Sequence, residues 1–174
     1  ESFCNYLFYQ PKERWQYEAA LFCCDRNEIK AYMLRRLKPG LGGGKTIFVT
    51  VDEVASAHIK ELAAVYPVLN ADKAKDADMR FCRFIEGVFD KRIVSSVFLT
   101  GEGFENNWYP TSLRVLCNGR RAFIGNNLYS KGACYTAYRK MFMHIEDPVY
   151  LSEDKLTDQI TVNMRVNGQE MWHP

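Results

Sequence analysis

The segment Gly101-Glu102-Gly103-Phe104 has residue types and a spacing that could bind a ligand. It directly follows the apolar run 93–100, which predicts a buried strand, so the segment is expected at the carboxyl end of that strand. Ligands of open α/β sheets bind at this end, and glycine lets the backbone approach a planar base or a phosphate group. The alternative is a tight strand-to-helix turn in which Glu102 is solvated.

A second glycine-rich segment, residues 40–46, contains Lys45 followed by Thr46 and invites comparison with a phosphate-binding P-loop. That motif has the spacing G-x-x-x-x-G-K-[ST] and precedes a helix whose N-terminus holds the anion. Here Pro39 occupies the position of the first glycine, and a β-branched run follows Thr46. We therefore interpret the segment as a hairpin loop and expect no phosphate-binding role for Lys45.

The elements around these segments predict a mixed α/β fold. Two β-like runs within residues 15–37 flank a polar turn and predict a hairpin, and residues 46–51 predict a third strand. Residues 52–70 are ambiguous, because apolar residues at helical spacing stand before Pro67 without a clear cap. The first half of the chain therefore predicts three antiparallel strands in a row.

The second half alternates helices with strands. Residues 72–92 predict a helix, which the buried strand 93–100 follows, because their apolar residues recur at steps of three and four. The predicted apolar stripe consists of Met79, Cys82, Ile85, Val88 and Phe89. Further on, the sequence predicts a helix over 111–118 closed by Gly119, a short strand over 121–124 and a helix over 128–143.

The C-terminal residues return to a β-pattern. Residues 159–166 alternate strictly and precede Asn167-Gly168, a hairpin turn signal. Because the chain stops four residues after Glu170, we expect a hairpin cut in half. The predicted organisation is one lobe over residues 1–145 and the start of a truncated β-rich extension over 146–174.

Length and charge narrow the possible functions. The chain has 174 residues, of which 47% are hydrophobic, and fits one domain with a real core. A net charge of +2 predicts neither nucleic acid nor a membrane surface as partner. The longest apolar run is far shorter than the roughly 20 residues that span a bilayer, and the N-terminus does not resemble a signal peptide.

The six cysteines form no C-x-x-C pair and have no histidine at ligand spacing, so the sequence predicts free thiols and no metal site. Buried free thiols are typical of a reducing compartment. Together with the missing membrane and export signals, they predict a soluble, cytoplasmic protein.

Residues 113–137, with Gly101-Glu102-Gly103 before them, resemble the last adenosine-side segment of the actin, sugar-kinase and heat-shock-chaperone ATPase superfamily. In this resemblance the Gly-x-Gly turn is similar to the adenosine loop. The series Tyr129-Ser130-Lys131-Gly132-Ala133 is similar to the start of the closing helix. The predicted β-β-β-α-β order resembles the ribonuclease H-like second half of that superfamily. An uncharacterised bacterial family, in which the same series occurs, is still closer in appearance.

The resemblance implies that the chain is part of an actin-like protein that binds an adenine nucleotide, ATP with magnesium, in a cleft shared with a missing N-terminal lobe. The implied nucleotide-binding residues are Gly101, Glu102, Gly103, Phe104, Asp25, Arg26 and Lys131. No catalytic residue is implied, and hydrolysis is left open. The alternative is a nucleotide-free scaffold for a protein partner or for self-assembly.

One departure from the superfamily concerns the first hairpin turn. The superfamily carries an Asp-x-Gly-Gly type turn whose backbone holds phosphates and whose acid orients metal and water. This chain has Asp25-Arg26-Asn27-Glu28, with an acid at the expected strand end and no glycine. Asp25 could be a plain turn former, since aspartate favours turns for local hydrogen-bonding reasons. Arg26 could replace the glycine backbone by supplying charge to a phosphate.

Overall fold

The computed structural model describes residues 1–37, 47–62, 70–143, 148–152, 162–166 and 169–173. The strands are β1 Glu18–Asp25, β2 Glu28–Arg36, β3 Phe48–His58, β4 Val94–Thr100, β5 Arg121–Ile124, β6 Val149–Tyr150, β7 Val162–Val166 and β8 Gln169–His173. The α-helices are α1 Ser2–Phe8, α2 Ala71–Phe89, α3 Pro110–Leu116 and α4 Leu128–Tyr138.

A six-stranded mixed sheet with the order β5-β4-β1-β2-β3-β6 forms the centre of the fold. Strands β1, β2 and β3 are antiparallel neighbours, whereas β4 is parallel to β1 and β5 is parallel to β4. The prediction of a mixed α/β fold with three consecutive antiparallel strands is confirmed.

Strand β3 extends further than the sequence pattern predicts. It continues to His58 because residues 49–58 pair with β2, with a register shift at Ala31/Tyr32. The first part of the ambiguous segment 52–70 is therefore strand, followed by a 3-10 turn at Lys60–Leu62. Residues 63–69 lie outside the described part of the chain, as do residues 38–46, which contain the glycine-rich segment interpreted from the sequence as a hairpin loop.

Two apolar cores lie on opposite faces of the sheet. Alternation along β1 directs Ala20 and Phe22 to one face and Ala19 and Leu21 to the other. Helices α2 and α3 cover the first face, and α1 and α4 cover the second. Strand β1 thus lies in the middle of three layers, which explains its nearly continuous apolar sequence.

Helix α2 confirms the predicted helix, although its buried stripe is rotated from the predicted one. Asn70 caps the helix, since its side-chain oxygen accepts a hydrogen bond from the Lys73 amide at 2.9 Å. Met79, expected in the apolar stripe, is 43% exposed, whereas Phe81 is fully buried. Contacts with the sheet and α3, rather than the spacing alone, decide which residues face inward.

The C-terminal strands β7 and β8 pair with each other in antiparallel orientation. Strand β8 pairs with β7 over all five of its residues, from Gln169↔Val166 to His173↔Val162. Both strands of the predicted C-terminal hairpin are therefore present among the described residues. Strand β6, beyond the predicted lobe boundary at residue 145, pairs in parallel with β3 in the main sheet.

Candidate functional site

Three connections meet at the carboxyl end of the parallel strands. Cys23 of β1 stands opposite Thr100 of β4, so the turn at Asp25 and the loop at Gly101 leave the sheet side by side. The loop after β5 joins them, since the Gly125 amide donates a hydrogen bond to the Leu99 carbonyl at 3.1 Å. We call these connections, residues 25–28, 101–104 and 125–131, the carboxyl edge.

Both glycines of the Gly-x-Gly turn pack against Cys24, the residue before Asp25. An ideal Cβ atom at Gly101 would lie 2.2 Å from the Cys24 carbonyl oxygen, and Gly101 has a φ of +101°. An ideal Cβ atom at Gly103 would lie 2.2 Å from the Cys24 Sγ atom. Contact with β1 therefore requires glycine at both positions, independently of any ligand.

The ring of Phe104 points into the core. It is 3% exposed and packs among Phe81, Trp108 and Tyr109, with ring centroids 5.3–6.2 Å apart. The Trp108 indole donates a hydrogen bond to the Gly103 carbonyl at 2.7 Å, and the Tyr109 hydroxyl donates one to the Phe104 carbonyl at 3.0 Å. Any contribution of residue 104 to ligand binding must therefore come from its backbone.

The β1–β2 turn presents two charged residues to solvent. Asp25 and Arg26 are both exposed, and Arg26 has a φ of +54°, in the left-handed region that favours glycine. The turn thus has a glycine-like backbone at a position occupied by arginine. The Cys24 thiol donates a long hydrogen bond to the Arg26 carbonyl at 3.8 Å and so ties the turn to the buried end of β1.

The first turn of α4 lies over the end of β1. A hydrogen bond joins the side chains of Tyr129 and Cys23, and burial raises the pKa of both groups above their ordinary values. Lys131, in the same helical turn, is exposed. The Asn126 amide donates a hydrogen bond to the Glu105 carboxylate at 2.9 Å, which links this connection to the loop after β4.

The Gly132-Ala133 pair of the sequence motif lies at the contact between α4 and α1. An ideal Cβ atom at Gly132 would lie 1.9 Å from the Ser2 carbonyl oxygen, so the two helix backbones touch there. Tyr9, just after α1, stacks on Tyr135 of α4 with ring centroids 4.4 Å apart. Gly132 therefore has a packing role in this fold, whereas Ala133 is exposed.

The predicted site residues therefore fall into two groups. Asp25, Arg26, Glu102 and Lys131 are exposed at the carboxyl edge, and Gly101 is half-buried among them. Gly103 and the Phe104 side chain are buried. Parallel pairing of β1 with β4 brings the first group together from distant parts of the sequence.

Sequence reasoning missed Asp78, a buried carboxylate that holds the start of α3. Its two oxygens accept hydrogen bonds from the amides of Thr111 at 2.7 Å and Ser112 at 2.8 Å. Burial alone would raise the pKa of Asp78, but the hydrogen bonds from Ser112 and Thr111 outweigh it and leave the pKa below its ordinary value. The sequence contains a signal that could have identified this residue, because Asp78 lies at helical spacing on the same stripe as the apolar residues Phe81, Ile85 and Val88.

The described part of the chain contains neither a cluster of metal-binding side chains nor a helix that could span a membrane. No three His, Cys, Asp or Glu side chains come close enough together there to hold a metal ion. Its helices are too short or too polar to cross a bilayer.

The protein is thus a mixed α/β protein. Polar and charged residues of three connections lie together at the carboxyl ends of its parallel strands β1, β4 and β5. The chain belongs to the family described as "Family of unknown function (DUF5716) C-terminal", whose model matches residues 1–153. A search of curated proteins found no match.

Proposed function

We propose that this chain is the ribonuclease H-like lobe of an actin-like protein, and that its carboxyl edge contacts an adenine nucleotide shared with a second lobe. Two observations support the fold part of the proposal. The element order β1-β2-β3-α2-β4 is the one that the sequence resemblance implies. The matching family is also described as a C-terminal part, which agrees with a lobe that has another before it.

The observation that carries the binding proposal is the convergence of two chain segments on Cys24. The Gly101–Gly103 loop and the Asp25–Arg26 turn are 76 residues apart in sequence, counted from Asp25 to Gly101, yet both adjoin this residue. In the proposed arrangement the backbone of Gly101 and Glu102 faces the adenosine, and the turn faces the phosphates. Such a division needs both segments at one edge of the sheet.

The charges of the carboxyl edge fit a magnesium-bound polyphosphate. Arg26 and Lys131 are exposed cations that can neutralise phosphate oxygens, and Asp25 is an exposed carboxylate. Magnesium is commonly held by one or two carboxylates together with substrate phosphates, so Asp25 would be its protein ligand here. When bound, the ion would neutralise phosphate charge. The proposal covers binding and assigns no hydrolytic step.

A nucleotide-free scaffold is the second candidate, and the packing of the Gly-x-Gly loop favours it. Contact with Cys24 accounts for both glycines, and the aromatic cluster accounts for Phe104 and for two loop carbonyls. In that case the charged residues at the carboxyl edge would meet a protein partner or a second copy instead of a nucleotide.

Thermal unfolding of the full-length polypeptide that carries this chain, with and without Mg-ATP, distinguishes the two candidates. A ligand at 100 times its Kd stabilises the folded state by about 2.7 kcal/mol, so the nucleotide-binding model predicts a clear rise in Tm. The scaffold model predicts none. In the binding model Arg26→Gly weakens the effect of Mg-ATP, whereas Lys91→Gly leaves it unchanged. Lys91 is a matched control because it is also exposed, also cationic and also has a positive φ, of +56°.

A further inference from the structure

A cleft of about 470 Å³ lies at the amino ends of β4 and β5. The proposed nucleotide contacts lie at the other, carboxyl ends of these strands. Three separate segments form its walls. They are the 3-10 turn at Lys12–Arg14, the start of β4 at Ser95 and Ser96, and the connection from α3 to β5 at residues 119–121. A volume of this size lies within the range of small-molecule sites, about 300–1,000 Å³.

The cleft is strongly basic. Arg14, Arg120 and Arg121 line it, and Glu13 is the one carboxylate among its lining residues. None of the three arginines forms an ion pair with a carboxylate in the part of the chain that the structure describes. With three arginines against one carboxylate, the lining carries a net positive charge, which attracts an anion into the cleft.

Two of the arginines are held in place by aromatic rings. The Arg14 guanidinium lies 4.5 Å from the centroid of Phe123, and the Arg120 guanidinium lies 4.4 Å from that of Phe89. The Arg14 Nη1 atom donates a hydrogen bond to the Gln10 Oε1 atom, whereas the Arg14 Nε atom is buried and has no hydrogen-bond partner among the described residues. Burial lowers the pKa of Arg120, although an arginine stays protonated at neutral pH. These guanidinium groups are thus positioned and partly desolvated before any ligand arrives, which increases the benefit of pairing each with an anion.

The serines complete the wall of the cleft. Ser96 donates its hydroxyl hydrogen to the Arg14 carbonyl and fastens the 3-10 turn to β4. Ser95 accepts a hydrogen bond from the Tyr17 amide at 2.8 Å through its hydroxyl oxygen, which leaves its O–H group able to donate. A ligand oxygen in the cleft would therefore meet a neutral donor as well as the guanidinium groups.

We propose that this cleft binds the phosphate group of a small molecule, through Arg14, Arg120, Arg121 and the Ser95 hydroxyl. A tetrahedral phosphate presents acceptor oxygens in several directions, which suits donors that approach from three chain segments. A carboxylate presents its acceptors in one plane. The cleft is larger than a phosphate ion alone, so a phosphate monoester fits it better than the free ion. This site is separate from the carboxyl edge and does not depend on nucleotide binding there.

The test is a phosphorus NMR titration of the full-length polypeptide with inorganic phosphate and with ribose 5-phosphate, at constant ionic strength. We expect both to bind, and Arg121→Gln to weaken each about tenfold, the usual effect of losing one charge-assisted hydrogen bond. Tighter binding of ribose 5-phosphate than of inorganic phosphate supports a phosphate monoester as the ligand, whereas equal or weaker binding would contradict that choice. Malonate, measured by calorimetry in the same buffer, is expected to bind more weakly than phosphate.

Arg114→Gln is the matched control, since Arg114 is an exposed arginine of α3 that does not line the cleft. It should change phosphate affinity by less than about twofold. Arg121 is itself exposed, so its replacement should leave the thermal unfolding curve unchanged and keep the result interpretable. Three outcomes would overturn the proposal: no phosphate binding, an equal loss in Arg114→Gln, or tighter binding of malonate. Because the probes contain no adenine, their failure would leave the nucleotide proposal untouched.

Discussion

Gly103 lies so close to Cys24 that a Cβ atom at residue 103 would come within 2.2 Å of the Cys24 Sγ atom. Cys24 is fully buried, so its thiol has little room to move aside. The contact joins the end of the central strand to the loop after its parallel neighbour. It therefore sets the spacing of the carboxyl edge before any ligand binds.

Gly103→Ala should destabilise the fold by about 2–3 kcal/mol through overpacking, and Cys24→Ala should relieve much of that loss. In urea unfolding, we expect the double variant to be more stable than the sum of the single changes predicts, with a coupling of about 1 kcal/mol or more. Gly101→Ala is the control, because its clash is with the Cys24 carbonyl oxygen, which Cys24→Ala retains. Equal rescue at both glycines would contradict this geometry.

Arg26→Gly should stabilise the fold by about 0.5–1 kcal/mol, since glycine removes the cost of a left-handed backbone but adds freedom to the unfolded chain. Lys91→Gly should give a similar gain, because Lys91 has nearly the same φ. Chemical denaturation of both variants checks the expectation. If both variants gain stability but only Arg26→Gly lowers the affinity for Mg-ATP, the Arg26 side chain itself contributes to nucleotide binding. A loss of stability in both variants would show that neither backbone is strained.

Asp78→Asn should destabilise the fold at pH 7 by about 2–3 kcal/mol, since the carboxylate that accepts hydrogen bonds from Thr111 and Ser112 is lost. The folded-state pKa of Asp78 lies below its ordinary value of 3.8. Its stabilising contribution is therefore fully present above that value and is lost as the pH falls through the folded-state pKa.

Urea unfolding at pH 7 and pH 3 should accordingly show the difference between wild type and Asp78→Asn narrowing in acid. Asp76→Asn, an exposed change on the same helix, should stay within about 0.5 kcal/mol of wild type. A difference that widened in acid would mean that folding raises, and does not lower, the pKa of Asp78.

The six cysteines should react with iodoacetamide in the order that their environment dictates, because the thiolate is the nucleophile. Cys117 and Cys134 are exposed and should be modified first. Cys24 is buried, with its pKa raised to about 12 by burial, and should stay unmodified at pH 8 until the protein unfolds. Peptide mass spectrometry over time, with a denatured sample as reference, measures the order. Early modification of Cys24 would show that the Gly101 loop opens in solution.

The secondary structure of the lobe follows closely from sequence patterns. Residues 121–124 and the helix from Leu128 form where predicted, because local periodicity and flanking turn signals agree there. The sequence patterns did not predict helix α1 or the full length of β3. Segment 52–58 carries several polar residues and becomes a strand only because β2 supplies a partner along its whole length.

For the candidate site, the sequence itself determined that Gly101 follows one β-strand and that Asp25 ends another, since both strands are marked by local residue preferences. Only the tertiary structure decided that those strands are parallel neighbours, that both glycines pack on Cys24 and that the Phe104 ring is buried. The first two facts depend on contacts between residues about 75 positions apart, and the burial of the Phe104 ring depends on its packing with Phe81, Trp108 and Tyr109. No local pattern records these contacts. The basic cleft also depends on tertiary structure, because Arg14 and Arg120 line it from positions more than 100 residues apart. The hydrogen bond from Ser96 to Arg14 and the pairing of β4 with β5 bring their two segments together.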